Sequence, residues 1–224
     1  MVDQFIPEHH IQKHIISVLM HQQYARFRDM RPPKVDTNLY SYHLKLLQKR
    51  QMVQKTDKGY CLDKAGLLYV DRVSLKSLNI RTQPKIITMI VLQNAEGDVL
   101  LQKRTKQPHI DTWTLPYGKL HIDDPSVQAA AQREACEKLG IEQLDAQHAG
   151  DCYIRIWQHD ELLSTTLAHV FYAETDGIVL NDELRWARPH RLGQYCLAPA
   201  VEQIVARTFF RDPFFFEEFV VELV

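Results

Sequence analysis

Residues 118–141 read GKLHIDDPSVQAAAQREACEKLGI. Their second half has the composition of an amphipathic helix. It closes at Gly140, the residue type that most easily takes the left-handed conformation just past a helix end. Asp124 followed by Pro125 fits a helix N-cap with proline at the first helical position. Residues three and four apart share a helix face, so Glu134, Glu137 and Lys138 project together. That face carries two carboxylates and one ammonium, and the ammonium stands four residues after Glu134, within reach of an ion pair.

The spacing resembles the signature of the Nudix superfamily, G-x5-E-x7-R-E-U-x-E-E-x-G-U, where U is bulky and aliphatic. Gly118, Arg133, Glu134, Glu137, Gly140 and Ile141 fall into place. Three positions depart from it. Asp124 stands where the first Glu belongs, one extra residue precedes Arg133, and Lys138 replaces the last Glu. The resemblance implies a Mg²⁺-dependent (or Mn²⁺-dependent) hydrolase of compounds that carry a diphosphate. Hard carboxylate oxygens suit Mg²⁺, and the metal would polarise a phosphoryl oxygen and supply a hydroxide. Glu134 and Glu137 would be catalytic metal ligands, joined by the Gly118 carbonyl. Arg133 would brace the helix; Arg104, at a strand end, is either a phosphate contact or a solvated arginine. Replacing a carboxylate with Lys138 changes the local charge by two units. Each unit is worth roughly 4 kcal/mol at about 4 Å and an effective dielectric near 20, so divalent binding is expected to weaken strongly.

The flanks extend the resemblance over residues 84–224. KIITMIVL (85–92) and VLLQKR (99–104) are apolar, β-branched runs separated by the turn NAEGD, a hairpin pattern. TKQPHIDTWTLPYGKL resembles the loop that enters the Nudix helix, through Trp113, Leu115, Pro116 and Gly118. CYIRIWQ and LLSTTLAHVFYAE read as strands, NDELRWARPHRL resembles a late Nudix segment, and a helix is expected near Leu197 to Arg207. Asp182 and Glu183 are candidates for a further carboxylate, or are solvated loop acids. The implied fold is an α/β/α sandwich around a mixed sheet. The terminal FFFEEFVVELV either packs on the domain or forms a dimer contact.

Residues 1–80 differ in character. Ile11, Ile15, Val18 and Leu19 have helical spacing, a short segment from Tyr24 to Met30 ends at Pro32 and Pro33, and Asp36 or Thr37 can cap a helix reaching Arg50. On that helix Leu39, His43, Leu46 and Leu47 predict a buried stripe. MVQKT, DKG and YCLD predict a hairpin, and a helix follows over 64–75. The stretch NLYSYHLKLLQKRQMVQKTDKGYCLDKAG resembles the recognition helix and wing of bacterial winged helix-turn-helix regulators. The resemblance covers residues 8–75. It implies DNA binding, with Asn38, Ser41, Tyr42, Lys45 and Lys49 facing a major groove and Lys55 and Lys58 on the wing near phosphates. A docking or dimerisation module is the other reading. His43 is expected to pack in the core.

Charge divides along the same line. Residues 1–80 hold 13 Lys+Arg against 7 Asp+Glu, a balance of +6, whereas the rest hold 14 against 21, a balance of −7. Such asymmetry points to nucleic acid on the basic side. No apolar run approaches the roughly 20 residues needed to span a bilayer. The start, MVDQFIPEHH, lacks the basic and apolar segments of a signal peptide. Cys61, Cys136, Cys152 and Cys196 are scattered, as reduced thiols in cytoplasm would be. A linker is expected over 76–84.

Two functions therefore compete. One is a DNA-binding transcriptional regulator whose Nudix-like domain senses a nucleotide-type metabolite with weak or lost hydrolysis. The other is a Mg²⁺-dependent hydrolase with an accessory winged helix. Lys138 and the extra residue favour the first, and the retained Gly118, Arg133, Glu134 and Glu137 favour the second. A homodimer is expected for either.

Overall fold

The computed structural model describes residues 5–74, 78, 80, 82–107, 109–209 and 214–223. The chain divides into two compact units, 1–83 and 84–224. The expected end of the third helix at Leu75 and the linker positions Lys76, Ser77, Asn79 and Arg81 lie outside the described residues.

In the first unit α1 spans His10–His21 and buries Ile11, Ile15, Ile16 and Leu19. The segment from Tyr24 to Met30 is not a helix. Ala25 instead forms an isolated bridge with Tyr60, and a turn follows. Seven residues before a proline pair are too few to repay helix nucleation without strong packing. Helix α2, Thr37–Lys49, is capped by Asp36, whose carboxylate accepts from the Asn38 and Leu39 amides. Strands β1 (Val53–Thr56) and β2 (Gly59–Leu62) form an antiparallel hairpin, and α3 (Lys64–Val70) follows. The unit thus has two helices ahead of its hairpin and one after it, where the resemblance implies three ahead, an arrangement still compatible with a winged helix-turn-helix.

The buried stripe of α2 differs from the sequence expectation. Tyr40, His43, Leu44 and Leu47 are buried, whereas Leu39 is 46% exposed. Tyr40 takes the core position because its hydroxyl finds a partner there. It donates to the Phe27 carbonyl at 2.8 Å, so a large ring is buried without orphaning its polar tip. His43 stacks on His9 at 3.9 Å and meets the Gln12 amide, and burial lowers its pKa.

The second unit holds, among the described residues, an eight-stranded mixed sheet. Its main path runs β10 (Phe215–Glu222), β7 (Gln147–Gln158), β8 (Glu161–Glu174), β3 (Lys85–Gln93), β4 (Val99–Lys103), β5 (Trp113–Thr114). Strand β6 (Tyr117–Lys119) pairs with β3, and β9 (Leu184–Ala187) with β4. The β3–β8 and β10–β7 pairs are parallel. The two-residue period of the strands sorts side chains onto two faces. Ile87, Met89, Ala168 and Val170 face α5 (Val201–Phe209), packing with Val201, Ile204 and Val205. Ile90, Leu92, Phe171 and Ala173 face α4 (Val127–Leu139), packing with Ala131 and Ala135. Helices on both faces make the α/β/α sandwich. Helix α5 starts at Val201, not near Leu197, because Pro199 biases the residue before it towards extended backbone. Leu197 bridges Trp113 instead. The terminal segment is a strand added in parallel to β7, with Phe215 buried and Glu217 paired to Arg207 at 2.7 Å. No helix among the described residues is long and apolar enough to cross a membrane.

Candidate functional site

The site is built where β6 meets α4. The helix is capped by Ser126, whose hydroxyl accepts from the Ala129 amide at 3.0 Å, and not by Asp124. At its other end Gly140 takes φ +69°, and its amide reaches the Cys136 and Ala135 carbonyls. These two caps fix the register that sends Arg133, Glu134 and Lys138 towards β6.

Gly118 receives the helix. A Cβ there would lie 1.5 Å from the Glu134 side-chain carboxyl carbon, so only glycine admits the carboxylate. Glu134 is 5% exposed. A buried carboxylate must be paired or it loses far more in desolvation than it gains. Here it is paired twice. Oε1 accepts from Arg133 Nη1 at 2.7 Å, and Oε2 lies 3.2 Å from Lys138 Nζ. Lys138 also donates to the Tyr117 carbonyl and lies 4.9 Å from the centre of that ring.

Asp124 belongs to the same network. Arg133 Nε donates to Oδ1 and Nη2 to Oδ2, both at 2.9 Å, in the two-pronged geometry that guanidinium and carboxylate match best. The His121 amide donates to Oδ2 at 2.7 Å. The Arg133 bonds, then the amide, hold Asp124 down at about 2, and the Asp124 bond chiefly raises Arg133. Arg133 Nη2 reaches the Lys119 carbonyl as well. Glu137 is more exposed, with Oε2 3.7 Å from Arg133 Nη1.

These donors do not fit a Mg²⁺ site of the implied kind. Both Glu134 oxygens and both Asp124 oxygens are committed to cations of the chain itself, and an ammonium sits among the carboxylates. A hard divalent ion would have to displace Lys138 against direct charge repulsion. What the cluster can do is hold β6 against α4.

Two cavities flank this cluster and share Arg104, Thr114 and Tyr117. One, of about 220 Å³, is lined by Lys103, Arg104, Lys106, Lys138 and Glu183. The other, of about 250 Å³, has an apolar floor of Ile87, Met89, Ile154 and Ile156, with Lys85 and Lys119 among its walls. Arg104 donates to the Tyr117 hydroxyl and lies over the ring at 5.4 Å; burial lowers its pKa. The sequence pointed to Arg104 but not to Tyr117, Lys85, Lys103, Lys106 or Lys119. The run QKRTK at the end of β4 was the available signal. Asp182 is exposed and belongs to neither lining; Glu183 is exposed and lines the smaller cavity.

In the first unit Asn38, Tyr42, Lys45 and Lys49 are exposed on α2, and Ser41 is half-buried beside them. Lys55 on β1 and Lys58 in the hairpin turn are exposed, with Lys58 Nζ 5.5 Å from the Tyr24 ring. The structure thus gathers the five α2 residues on one arc and places the two wing lysines on the hairpin.

The NUDIX domain family model matches residues 83–211. Among solved structures, the Nudix domain of Shewanella oneidensis NrtR complexed with ADP ribose is similar at 17% identity and a TM-score of 0.50. That alignment covers 65% of this chain and 97% of that one. The MutT protein of Bacillus halodurans is similar at 18% identity and a TM-score of 0.50, covering 61% of this chain and 89% of that one. The family match spans more than half the chain, so this protein belongs to the Nudix family.

Proposed function

We propose that this protein is a DNA-binding transcriptional regulator whose Nudix domain binds a nucleotide-type ligand with little or no hydrolysis of it. The observation that carries this is Lys138, whose ammonium pairs with the buried carboxylate of Glu134 where a metal would need it. An anionic ligand gains from such a site what a metal would otherwise supply, namely fixed positive charge at the cavity wall. Lys103, Arg104, Lys106 and Lys138 suit a diphosphate, and the apolar floor of the neighbouring cavity suits the group attached to it. The likeness in fold to a Nudix domain complexed with ADP ribose makes ADP-ribose the first ligand to try. The exposed arc of α2 supports the DNA reading, since Asn38 and Tyr42 offer hydrogen bonds to base edges and Lys45 and Lys49 offer charge to phosphates. The reading includes a cytoplasmic homodimer on paired half-sites, because two-fold operators favour two-fold proteins.

The test has two arms. Calorimetric titration with ADP-ribose, a sugar nucleotide and a nucleoside triphosphate, in EDTA, should give binding for one of them. The same compounds with Mg²⁺ or Mn²⁺ should give no turnover above that of Glu134→Gln. Turnover that Glu134→Gln abolishes would establish the hydrolase instead. Selection from random DNA, repeated with ligand, then asks whether ligand changes affinity for the selected site.

A further inference from the structure

A second cluster lies on the α4 face of the sheet, away from either cavity lining. We infer that His148, Asp151 and His169 form a binding site for a first-row divalent transition ion of the Zn²⁺ class. One ligand atom from each lies within 4.8 Å of the other two. His148 Nε2 stands 2.9 Å and His169 Nδ1 2.7 Å from the same oxygen, Asp151 Oδ1.

The backbone is shaped for this convergence. Positions three apart on a regular strand face opposite ways. The β7–β8 register shifts between His148 and Gly150, so Ala149 is the extra residue of a bulge, and His148 and Asp151 emerge on one face. Asp151 pairs directly across with His169 on β8. The imidazoles are held by neighbours. His148 stacks on Phe171 at 4.9 Å and 17°, meets the Phe214 ring at 5.2 Å and 86°, and lies 5.6 Å from the His169 ring. An aromatic wall that fixes ring orientation is what a preorganised ligand set needs. Next to His169 in the sheet is Thr88, fully buried, whose hydroxyl has no hydrogen-bond partner among the described residues.

Two imidazole nitrogens and one carboxylate oxygen select the ion. Imidazole suits Zn²⁺, Ni²⁺, Co²⁺ and Fe²⁺, and it disfavours Mg²⁺ and Ca²⁺. With bonds of about 2.0–2.1 Å, ligand atoms around a tetrahedral ion stand roughly 3.3 Å apart. Admitting an ion therefore widens each N–O separation by about half an ångström and brings the two imidazole nitrogens, which lie within 4.8 Å of each other, to a similar spacing. The carboxylate brings one negative charge against the ion's two, and water completes the coordination. His148, with a side chain 37% exposed, gives the entry path. The site is separate from the Nudix helix cluster. Gly118, Thr88, His169 and Asp151 lie on successive strands β6, β3, β8 and β7. Three strand spacings put Asp151 roughly 14 Å from Gly118.

The experiment is titration of the full chain with ZnCl₂ alone, read by calorimetry and by thermal unfolding, in parallel with His148→Gln, Asp151→Asn and His169→Gln. One equivalent should bind and raise Tm, and each variant should lose at least tenfold in affinity. Exposed Cys136 and Cys196 are the competing ligands, so the Cys136→Ser/Cys196→Ser double variant should retain the effect. Unchanged binding in Asp151→Asn, or loss in the cysteine variant, would overturn the inference. Co²⁺ loading of the wild-type chain decides the matter even if a variant fails to fold. Visible d–d bands without sulfur charge-transfer absorption support the site; thiolate charge transfer, or no spectral change at all, refutes it.

Discussion

Helices α2 and α4 are each 13 residues long, and each carries the residues that the sequence marks for function. They treat charge in opposite ways. On α4 the guanidinium of Arg133, the ammonium of Lys138 and the carboxylate of Glu134 are bonded to one another and to β6. On α2 Lys45 and Lys49 stand in solvent, with no ion pair among the described residues. A charged helix whose charges are mutually satisfied serves its own fold, and it offers a ligand only what faces outward. A helix whose charges are unspent offers them to a partner. The two 13-residue segments thus differ in kind: one spends its charges on its own domain, and the other leaves Lys45 and Lys49 in solvent.

The largest effect should come from breaking the internal network. Arg133→Ala leaves Asp124 and the buried Glu134 short of their main partner. It should cost about 2–3 kcal/mol of stability, discounted from the fully buried case because Arg133 is partly exposed. Chemical denaturation of the wild-type chain and the variant measures this. A loss under 1 kcal/mol would mean the network is decorative. On α2 the corresponding variant, Lys45→Ala with Lys49→Ala, should leave stability within about 0.5 kcal/mol. It should weaken binding to the selected DNA about tenfold and lower the salt slope by roughly two. Gel shifts over a range of salt check both, and unchanged binding would remove α2 from the interface.

Lys138→Glu sharpens the contrast. It sets a second carboxylate beside Glu134, so without metal it should lower stability by about 1 kcal/mol, a few degrees of Tm for a domain of this size. Millimolar Mg²⁺ should restore what was lost, whereas Mg²⁺ should leave the wild-type Tm unmoved. A variant indifferent to Mg²⁺ would mean that the extra residue before Arg133 has displaced the ligands by itself. The smallest effect is on acid stability. Asp124 is held at about 2 against an ordinary value of 3.8 by the Arg133 bonds. A depressed folded pKa contributes stability that is complete above about pH 5 and is lost as pH falls from 4 towards 2. Asp124→Asn should flatten that part of the pH–stability curve. A curve parallel to wild type would place the acid sensitivity elsewhere.

Much of the fold was legible because local chemistry and tertiary packing agree. Gly140 ends α4, Asp36 caps α2, and the turn residues 94–98 close the β3–β4 hairpin. What was not legible depended on partners distant in sequence. Leu39 outranks Tyr40 in hydrophobicity, yet the Phe27 carbonyl lets Tyr40 take the core. Asp124 reads as a cap by type and position, but a guanidinium nine residues away claims both of its oxygens. The alternation of FFEEFVVE is a strand pattern, but its parallel partner β7 lies some 60 residues upstream, and no local signal names it. The Glu134–Lys138 pairing was within reach of helix spacing alone. The His148–Asp151–His169 convergence was not, because it needs a bulge.

If Lys138 takes the place of a metal, ligand binding needs no divalent ion. Titrating ADP-ribose into the wild-type chain in EDTA, and again in Mg²⁺, tests it most directly. Equal affinity in both buffers, no product in either, and loss of binding in Arg104→Ala are the expected results. Affinity that appears only with Mg²⁺, accompanied by hydrolysis that Glu134→Gln removes, would contradict it.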